Sequence, residues 1–130
     1  MLESTILTSF ALLQHRLLES LRQSQPEFFA DKWLLGAPSK SELKLDGEFW
    51  EVSKHGVGIM FKRRNPGPEL VVDVHTEVEA ADRIDAWRLQ QFVESTGQSL
   101  EFDEAEALLQ RHVATGVLVP RVAGGYALGS

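Results

Sequence analysis

The chain has 130 residues, of which 43% are hydrophobic and 25% charged, so length and composition predict a single folded domain over residues 1–130. It contains no cysteine, which excludes disulfides, thiolate metal sites and cysteine nucleophiles. The net charge of −6 is concentrated in the second half, where residues 66–130 carry 4 arginines, no lysine and 11 acidic residues. Such a surface repels nucleic-acid phosphates and attracts basic partners.

The first predicted element is a helix over residues 4–23, because apolar residues recur there at three- and four-residue intervals. The segment lacks a basic leader, and its apolar run is far shorter than the roughly 20 residues that span a bilayer. We therefore expect a cytosolic protein without a membrane segment. The apolar stripe of the helix consists of Ile6, Phe10, Leu13, Leu17 and Leu21, widened by Leu2, Leu12 and Leu18.

A connector follows over residues 26–42, where an aromatic stretch gives way to glycine, proline and serine. This composition predicts a short helical turn that is anchored by Phe28, Phe29 and Trp33, and then a loop.

Two-residue alternation of apolar side chains predicts the next elements, strands over residues 47–54, 56–63 and 69–76. The "NPGP" sequence at 65–68 predicts a tight turn between the last two strands, since proline presets φ and glycine accepts a positive φ. Folding back at this turn places Phe61 opposite Val72, on one apolar face of the ribbon.

Two further helices are predicted over residues 82–96 and 103–115. Asp103 with Glu106 three residues later predicts a capping box at the start of the second of these helices, and Gly116 ends it.

The tail over residues 116–128 predicts a β-hairpin that is closed by Gly124 and Gly125. The elements together predict an α+β fold, with an N-terminal helix, a central antiparallel sheet, two helices and a C-terminal β-hairpin.

The polar face of the predicted ribbon carries the candidate site. The same register places Asp73 beside Met60 and His75 beside Gly58, so Asp73 and His75 point the same way, about 7 Å apart along one strand. The missing side chain at Gly58 leaves space beside His75, and glycine within a strand often marks the close approach of a ligand. His55 is expected near the same end of the sheet.

Three interpretations of His55, Asp73 and His75 follow. They are metal ligands of a metal-dependent hydrolase, or a general acid–base pair in which Asp73 orients a histidine, or residues that hydrogen-bond for structural reasons. The Asp-x-His pattern is short and common, which favours the structural interpretation. A small-ligand site in the gap at Gly58 is a further alternative.

Three motifs in the middle of the chain carry a resemblance: "HGVG" at 55–58, "VVDVH" at 71–75 and "IDAWRLQQFVES" at 84–95. In these motifs and their order, the chain resembles a family of small bacterial domains that are similar to those found near polymorphic toxin genes. Small acidic proteins serve there as immunity factors. The resemblance implies this context and no chemistry.

We expect a protein-binding module rather than an enzyme, and specifically an immunity protein that neutralises a bacterial toxin by direct binding. A basic toxin domain would dock on acidic side chains around an aromatic anchor. We expect no cofactor, and no nucleic acid as partner because the helix over 103–115 is acidic. The predicted binding residues are Glu77, Glu79, Asp82, Asp85 and Trp87.

Overall fold

The structure, a computed structural model, describes residues 2–29, 40–55, 58–64, 69–75, 84–121 and 125–129, without the side chains of residues 2–4, 29, 55 and 75. Within these ranges the elements in chain order are α1 (Leu2–Ser24), a 3₁₀ turn (Pro26–Phe29), β1 (Lys40–Leu45), β2 (Glu48–His55), β3 (Gly58–Arg63), β4 (Leu70–His75), α2 (Ala86–Ser95), α3 (Phe102–Ala114), β5 (Leu118–Pro120) and β6 (Tyr126–Leu128).

The predicted α+β fold is confirmed. Strands β1 to β4 form an antiparallel sheet in chain order, and β5 and β6 form a separate hairpin. The predicted register between β3 and β4 is also confirmed, since Phe61 lies opposite Val72 and Ile59 opposite Val74, and all four side chains are buried. The turn at 65–68 that was predicted to set this register lies outside the described residues.

Strand β1 is an element that the sequence reading missed, because residues 40–42 were assigned to the connector. Asp46 and Gly47 link β1 to β2 with positive φ angles of 51° and 81°. Two consecutive positive φ values are those of a type I′ hairpin turn, for which Asp-Gly is a favoured pair. The signal for the strand was therefore the Asp-Gly pair after the alternating residues Leu43 to Leu45.

The apolar side of α1 packs against the rest of the molecule along its whole length. Its first half contributes Leu7 and Phe10 to a cluster with α2, α3 and β5, and its second half contributes Leu17 and Leu21 to a cluster under the four-stranded sheet. One prediction was wrong, because Leu12 is mostly exposed. It lies two residues from Phe10 and therefore about 200° around the helix.

No helix among the described residues is long and apolar enough to cross a membrane. The predicted anchor Phe28 is buried beneath the sheet. The Phe29 side chain and Trp33 lie outside the described part of the chain.

One face of the four-stranded sheet packs against α1. On the opposite face, which we call the open face, the side chains of Glu42, Lys44 and Glu51 are exposed. Strand alternation puts Leu43, Trp50 and Phe61 on the covered face, where each is buried. On the open face, Phe49 is 63% exposed.

Helix α2 begins at Ala86, four residues later than predicted. The backbone of Ile84 forms a β-bridge with Tyr126, which holds this segment in extended form. Asp85 then caps the helix, as its side chain accepts a hydrogen bond from the Arg88 N–H at 2.8 Å.

The predicted capping box at the start of α3 was wrong by two residues. Glu101 is the N-cap, and its backbone N–H donates to the Glu104 side chain at 3.0 Å. Since Glu104 fills this role, Glu106 is not the capping residue of the helix. The predicted end at Gly116 is confirmed, because this residue follows the C-cap Thr115 with a φ of 82°.

The terminal hairpin docks on the segment before α2 through Gly125 and Tyr126. Tyr126 exchanges backbone hydrogen bonds with Ile84, at 2.8 and 3.0 Å. Gly125 has a φ of 73°, and a Cβ atom added there would lie 3.1 Å from the Ile84 carbonyl oxygen. A side chain at Gly125 would therefore press on the same carbonyl that accepts the Tyr126 hydrogen bond.

We expect Gly125→Ala to lower the free energy of unfolding by about 2 kcal/mol, whereas Gly116→Ala lowers it by about 1 kcal/mol. Both glycines have positive φ, but a Cβ at Gly116 meets no atom within 4 Å. Urea unfolding of the two variants separates backbone strain from the steric contact. Equal losses would show that the contact with Ile84 has no energetic cost.

Candidate functional site

The backbone brings the predicted histidines into one row across three strands. His55 lies opposite Gly58 in the β2–β3 pairing, and Gly58 lies opposite His75 in the β3–β4 pairing. This confirms the expected placement of both positions at one end of the sheet. The side chains of His55 and His75 lie outside the described part of the structure.

Asp73 lies opposite Met60 as predicted, and its carboxylate is bound by an arginine. Arg88 of α2 donates from Nε to Oδ1 at 2.5 Å and from Nη2 to Oδ2 at 2.6 Å. This is a bidentate pair, the strongest geometry for an arginine and a carboxylate. It clamps β4 to the first turn of α2.

Asp85, one of the predicted docking acids, belongs to the same cluster. Its Oδ1 accepts from the Arg88 backbone, and its Oδ2 pairs with the Arg88 guanidinium. Arg88 therefore lies between two carboxylates, and its side chain is only 16% exposed. The negative charge of Asp85 is therefore already paired with Arg88.

The electrostatics of Arg88 follow from this geometry. The hydrogen bonds that the guanidinium donates to Asp73 raise its pKa, burial opposes this rise, and the charges of Asp73 and Asp85 add to it. The arginine is cationic at every accessible pH. A reaction that used Asp73 as a base or metal ligand would have to proceed beside this cation, which stabilises the charged form of the carboxylate.

The sequence reading missed Arg88. The Asp85–Arg88 spacing of three residues was a readable signal for a helix pair. The contact with Asp73 was not readable, because it joins residues fifteen positions apart that meet only after α2 has packed on β4.

Within the described side chains, no three histidine, aspartate or glutamate residues form a group that could hold a metal ion. The metal-site and acid–base interpretations of His55, Asp73 and His75 stay predictions.

Trp87, the predicted aromatic anchor, is 52% exposed at the start of α2. The Asp85 cap and the Arg88 clamp fix the residues on either side of it. The side chain is thus presented from a rigid helix terminus. The other predicted docking acids, Glu77, Glu79 and Asp82, lie outside the described residues.

Trp87 lines a cleft between α2, α3 and the terminal hairpin, which we call the α2–α3 cleft. Its volume is about 380 Å³. Phe102, at the start of α3, is a second aromatic residue in the lining and is 44% exposed. The residues that give the cleft its chemistry are Trp87, Phe102, Glu106, Leu109, Gln110 and Tyr126.

The polar side of the cleft comes from one face of α3. Glu106 and Gln110 are four residues apart, so they lie on the same face of the helix, about one turn from each other. The Gln110 amide donates to the Tyr126 hydroxyl at 3.1 Å, which leaves its carbonyl oxygen as an acceptor. Among the described residues, no cation pairs with Glu106. The cleft therefore combines aromatic surface with hydrogen-bond acceptors and one unneutralised charge.

A wider recess of about 670 Å³ lies along the four-stranded sheet, near Phe49. Here charges of both signs meet, since the β1–β2–β3 register places Glu42 opposite Glu51 and Glu51 opposite Lys62. The Lys44 ammonium lies 5.4 Å from the centre of the Phe49 ring. Acids and bases here offset each other, so this recess favours no single ligand charge.

The model of one protein family, described as a domain of unknown function (DUF6896), matches residues 4–128. The match spans nearly the whole chain, so the chain belongs to this family. No curated protein and no solved structure matches it.

Proposed function

We propose that this DUF6896 domain is a protein-binding module, and that the α2–α3 cleft is its contact surface for a basic partner. The observation that carries the proposal is the pair of half-exposed aromatic side chains, Trp87 and Phe102, on a cleft with Glu106, whose carboxylate pairs with no cation in the described part of the chain. The role that the sequence resemblance adds is that of an immunity protein, with a toxin domain as the partner.

The aromatic side chains of the cleft, Trp87 and Phe102, are its main source of binding energy. Exposed tryptophan and phenylalanine leave apolar area in water, and this area becomes a source of affinity when a partner covers it. Tryptophan is among the residues most enriched in binding hot spots. Because the N-terminus of α2 is fixed by Arg88, docking on Trp87 needs little ordering of the chain.

Charge supports a basic partner. The first turns of α3 carry Asp103, Glu104 and Glu106, whereas the arginine of this helix, Arg111, lies in its last turn. A negative field around the cleft would accelerate encounter with a positive surface, and this acceleration falls with added salt.

We expect Trp87→Ala to weaken partner binding by about 30-fold, which corresponds to about 2 kcal/mol for a hot-spot tryptophan. Phe49→Ala is the matched control, because Phe49 is also an exposed aromatic residue, at 63%, but lies on the sheet and not in the cleft. Immobilised wild-type, Trp87→Ala and Phe49→Ala proteins are incubated with a lysate of the native host. Retained proteins are quantified by mass spectrometry, and isothermal calorimetry then gives the affinity of each purified partner.

The expected result is a protein that is retained by wild type and by Phe49→Ala but lost from Trp87→Ala. A partner that depends on Phe49 instead would move the contact surface to the open sheet face and contradict the proposal. Retention of no protein by the wild-type domain would contradict the binding role itself. A partner with the activity of a toxin, inhibited by the domain, is the result that supports the immunity role.

A further inference from the structure

We propose that the α2–α3 cleft is a socket for one arginine side chain of the partner, with Glu106 as its counter-ion. This inference rests on the proposed function and names the chemical group that the cleft receives. It is argued from the size of the cleft, its acceptors and its aromatic lining.

Size restricts the occupant. A volume of about 380 Å³ is near the lower end of the roughly 300–1,000 Å³ that is usual for ligand pockets. The cleft is open to solvent on one side, so a long side chain fits within a space of this size while the helix or strand that carries the side chain stays outside. The partner therefore inserts a side chain, and the rest of its surface lies on the rim.

The polar groups of the lining select a donor with positive charge. Glu106 contributes a carboxylate and Gln110 a carbonyl oxygen, both from one face of α3. An anionic side chain would be repelled by the Glu106 carboxylate. A neutral apolar side chain would cover these acceptors without giving them a hydrogen-bond donor. A cation with several N–H groups satisfies both.

The aromatic lining selects arginine over lysine. A planar guanidinium stacks on aromatic rings, and its five donors suit two acceptor groups in a way that a compact ammonium does not. Trp87 and Phe102 provide exposed rings beside these acceptors. Asp85 adds little to this selection, because both of its oxygens are bound by Arg88.

The test uses a short probe peptide, N-acetyl-Gly-Gly-Arg-Gly-Gly-amide, and its twin with citrulline in place of arginine. Citrulline keeps the shape of the side chain and removes the charge. Both peptides are titrated into ¹⁵N-labelled protein, and the Trp87 indole N–H resonance, assigned with Trp87→Phe, reports binding. We expect the arginine peptide to shift this resonance and to bind at least tenfold more tightly than the citrulline peptide.

Two substitutions locate the counter-ion. Glu106→Gln is expected to weaken the arginine peptide by about tenfold and to leave the citrulline peptide unchanged. Asp103→Asn removes the same charge from the same helix at a position that is exposed like Glu106 but does not line the cleft, and we expect less than a twofold change. Thermal unfolding of both variants verifies that they are folded.

Equal binding of the arginine and citrulline peptides would overturn the socket. So would equal effects of Glu106→Gln and Asp103→Asn, because they would show a diffuse field instead of a counter-ion. These outcomes are distinct from failure of the proposed function. A host partner that depends on Trp87 would preserve the binding role even if the peptides bound without regard to charge.

Discussion

Replacing Phe10 by alanine is expected to lower the free energy of unfolding by about 3–5 kcal/mol. The Phe10 side chain is 1% exposed, and its ring stacks on that of Phe92, with a centroid distance of 4.9 Å and an interplanar angle of 21°. The substitution leaves a cavity between α1 and α2 and also removes a ring contact worth roughly 0.5–1.5 kcal/mol. Phe92 packs against both hydrophobic clusters, so the loss of the Phe10 ring weakens packing in both of them.

Urea unfolding followed by circular dichroism measures this loss, and Leu12→Ala is the matched control. Leu12 lies on the same helix but is exposed, so we expect its substitution to change the stability by no more than about 0.5 kcal/mol. A loss of less than 1 kcal/mol for Phe10→Ala would mean that the ring does not fill the space between α1 and α2.

The second large effect is expected at the clamp between β4 and α2. Arg88→Met should lower the free energy of unfolding by about 2–4 kcal/mol, because it removes the guanidinium from between the partly buried carboxylates of Asp73 and Asp85. The range lies slightly below that of a fully buried pair, since Asp73 is 33% exposed and retains some solvation.

Arg16→Met is the control for this substitution. Arg16 also pairs with a carboxylate, that of Asp46, but both side chains are well exposed. Exposed pairs contribute roughly 0–1 kcal/mol, so the control isolates the effect of burial. In addition, Asp73→Asn on the Arg88→Met background should cost much less than Asp73→Asn alone, which a double-mutant cycle quantifies. Similar losses for Arg88→Met and Arg16→Met would contradict the role of the clamp.

Local signals predicted the elements whose information lies within a few neighbouring residues. The apolar stripe gave the first helix, and two-residue alternation gave β3 and β4 with the correct register. A one-residue slip in that register would have turned Phe61 and Val72 to solvent, so the burial pattern specifies it strongly.

The same rules failed where two local signals competed. Asp103 with Glu106 and Glu101 with Glu104 have the same three-residue spacing, but only the first pair begins with a preferred N-cap residue and so predicts the start of a helix. The chain uses the earlier pair, which also places Phe102 in the first turn of α3. This choice leaves Glu106 in the cleft lining, so an error of two residues at a helix cap concealed a central part of the candidate site.

Contacts between residues far apart in the chain could not be predicted from the sequence, because they depend on how the helices and strands pack. Nothing near Asp73 in the chain indicates that its partner is Arg88, because the pair forms only when a helix packs on a strand fifteen residues earlier. The cleft is similar, since its lining comes from α2, α3 and the hairpin. Composition indicated an acidic surface with Trp87 as an anchor, but only the fold places Phe102, Glu106 and Tyr126 beside that anchor.

The span of α1 across both hydrophobic clusters has a consequence during protein synthesis. Leu7 of α1 shares its cluster with Leu118 of β5, so that cluster stays incomplete until the ribosome has added the last part of the chain. At roughly 5–20 residues per second, this delay is on the order of 10 s. The second half of α1 can pack against its sheet earlier, because all buried residues of that cluster lie at or before Val74 in the chain. Helix α1 precedes the other described elements in the chain but is thus among the last of them to be fully covered in the nascent protein.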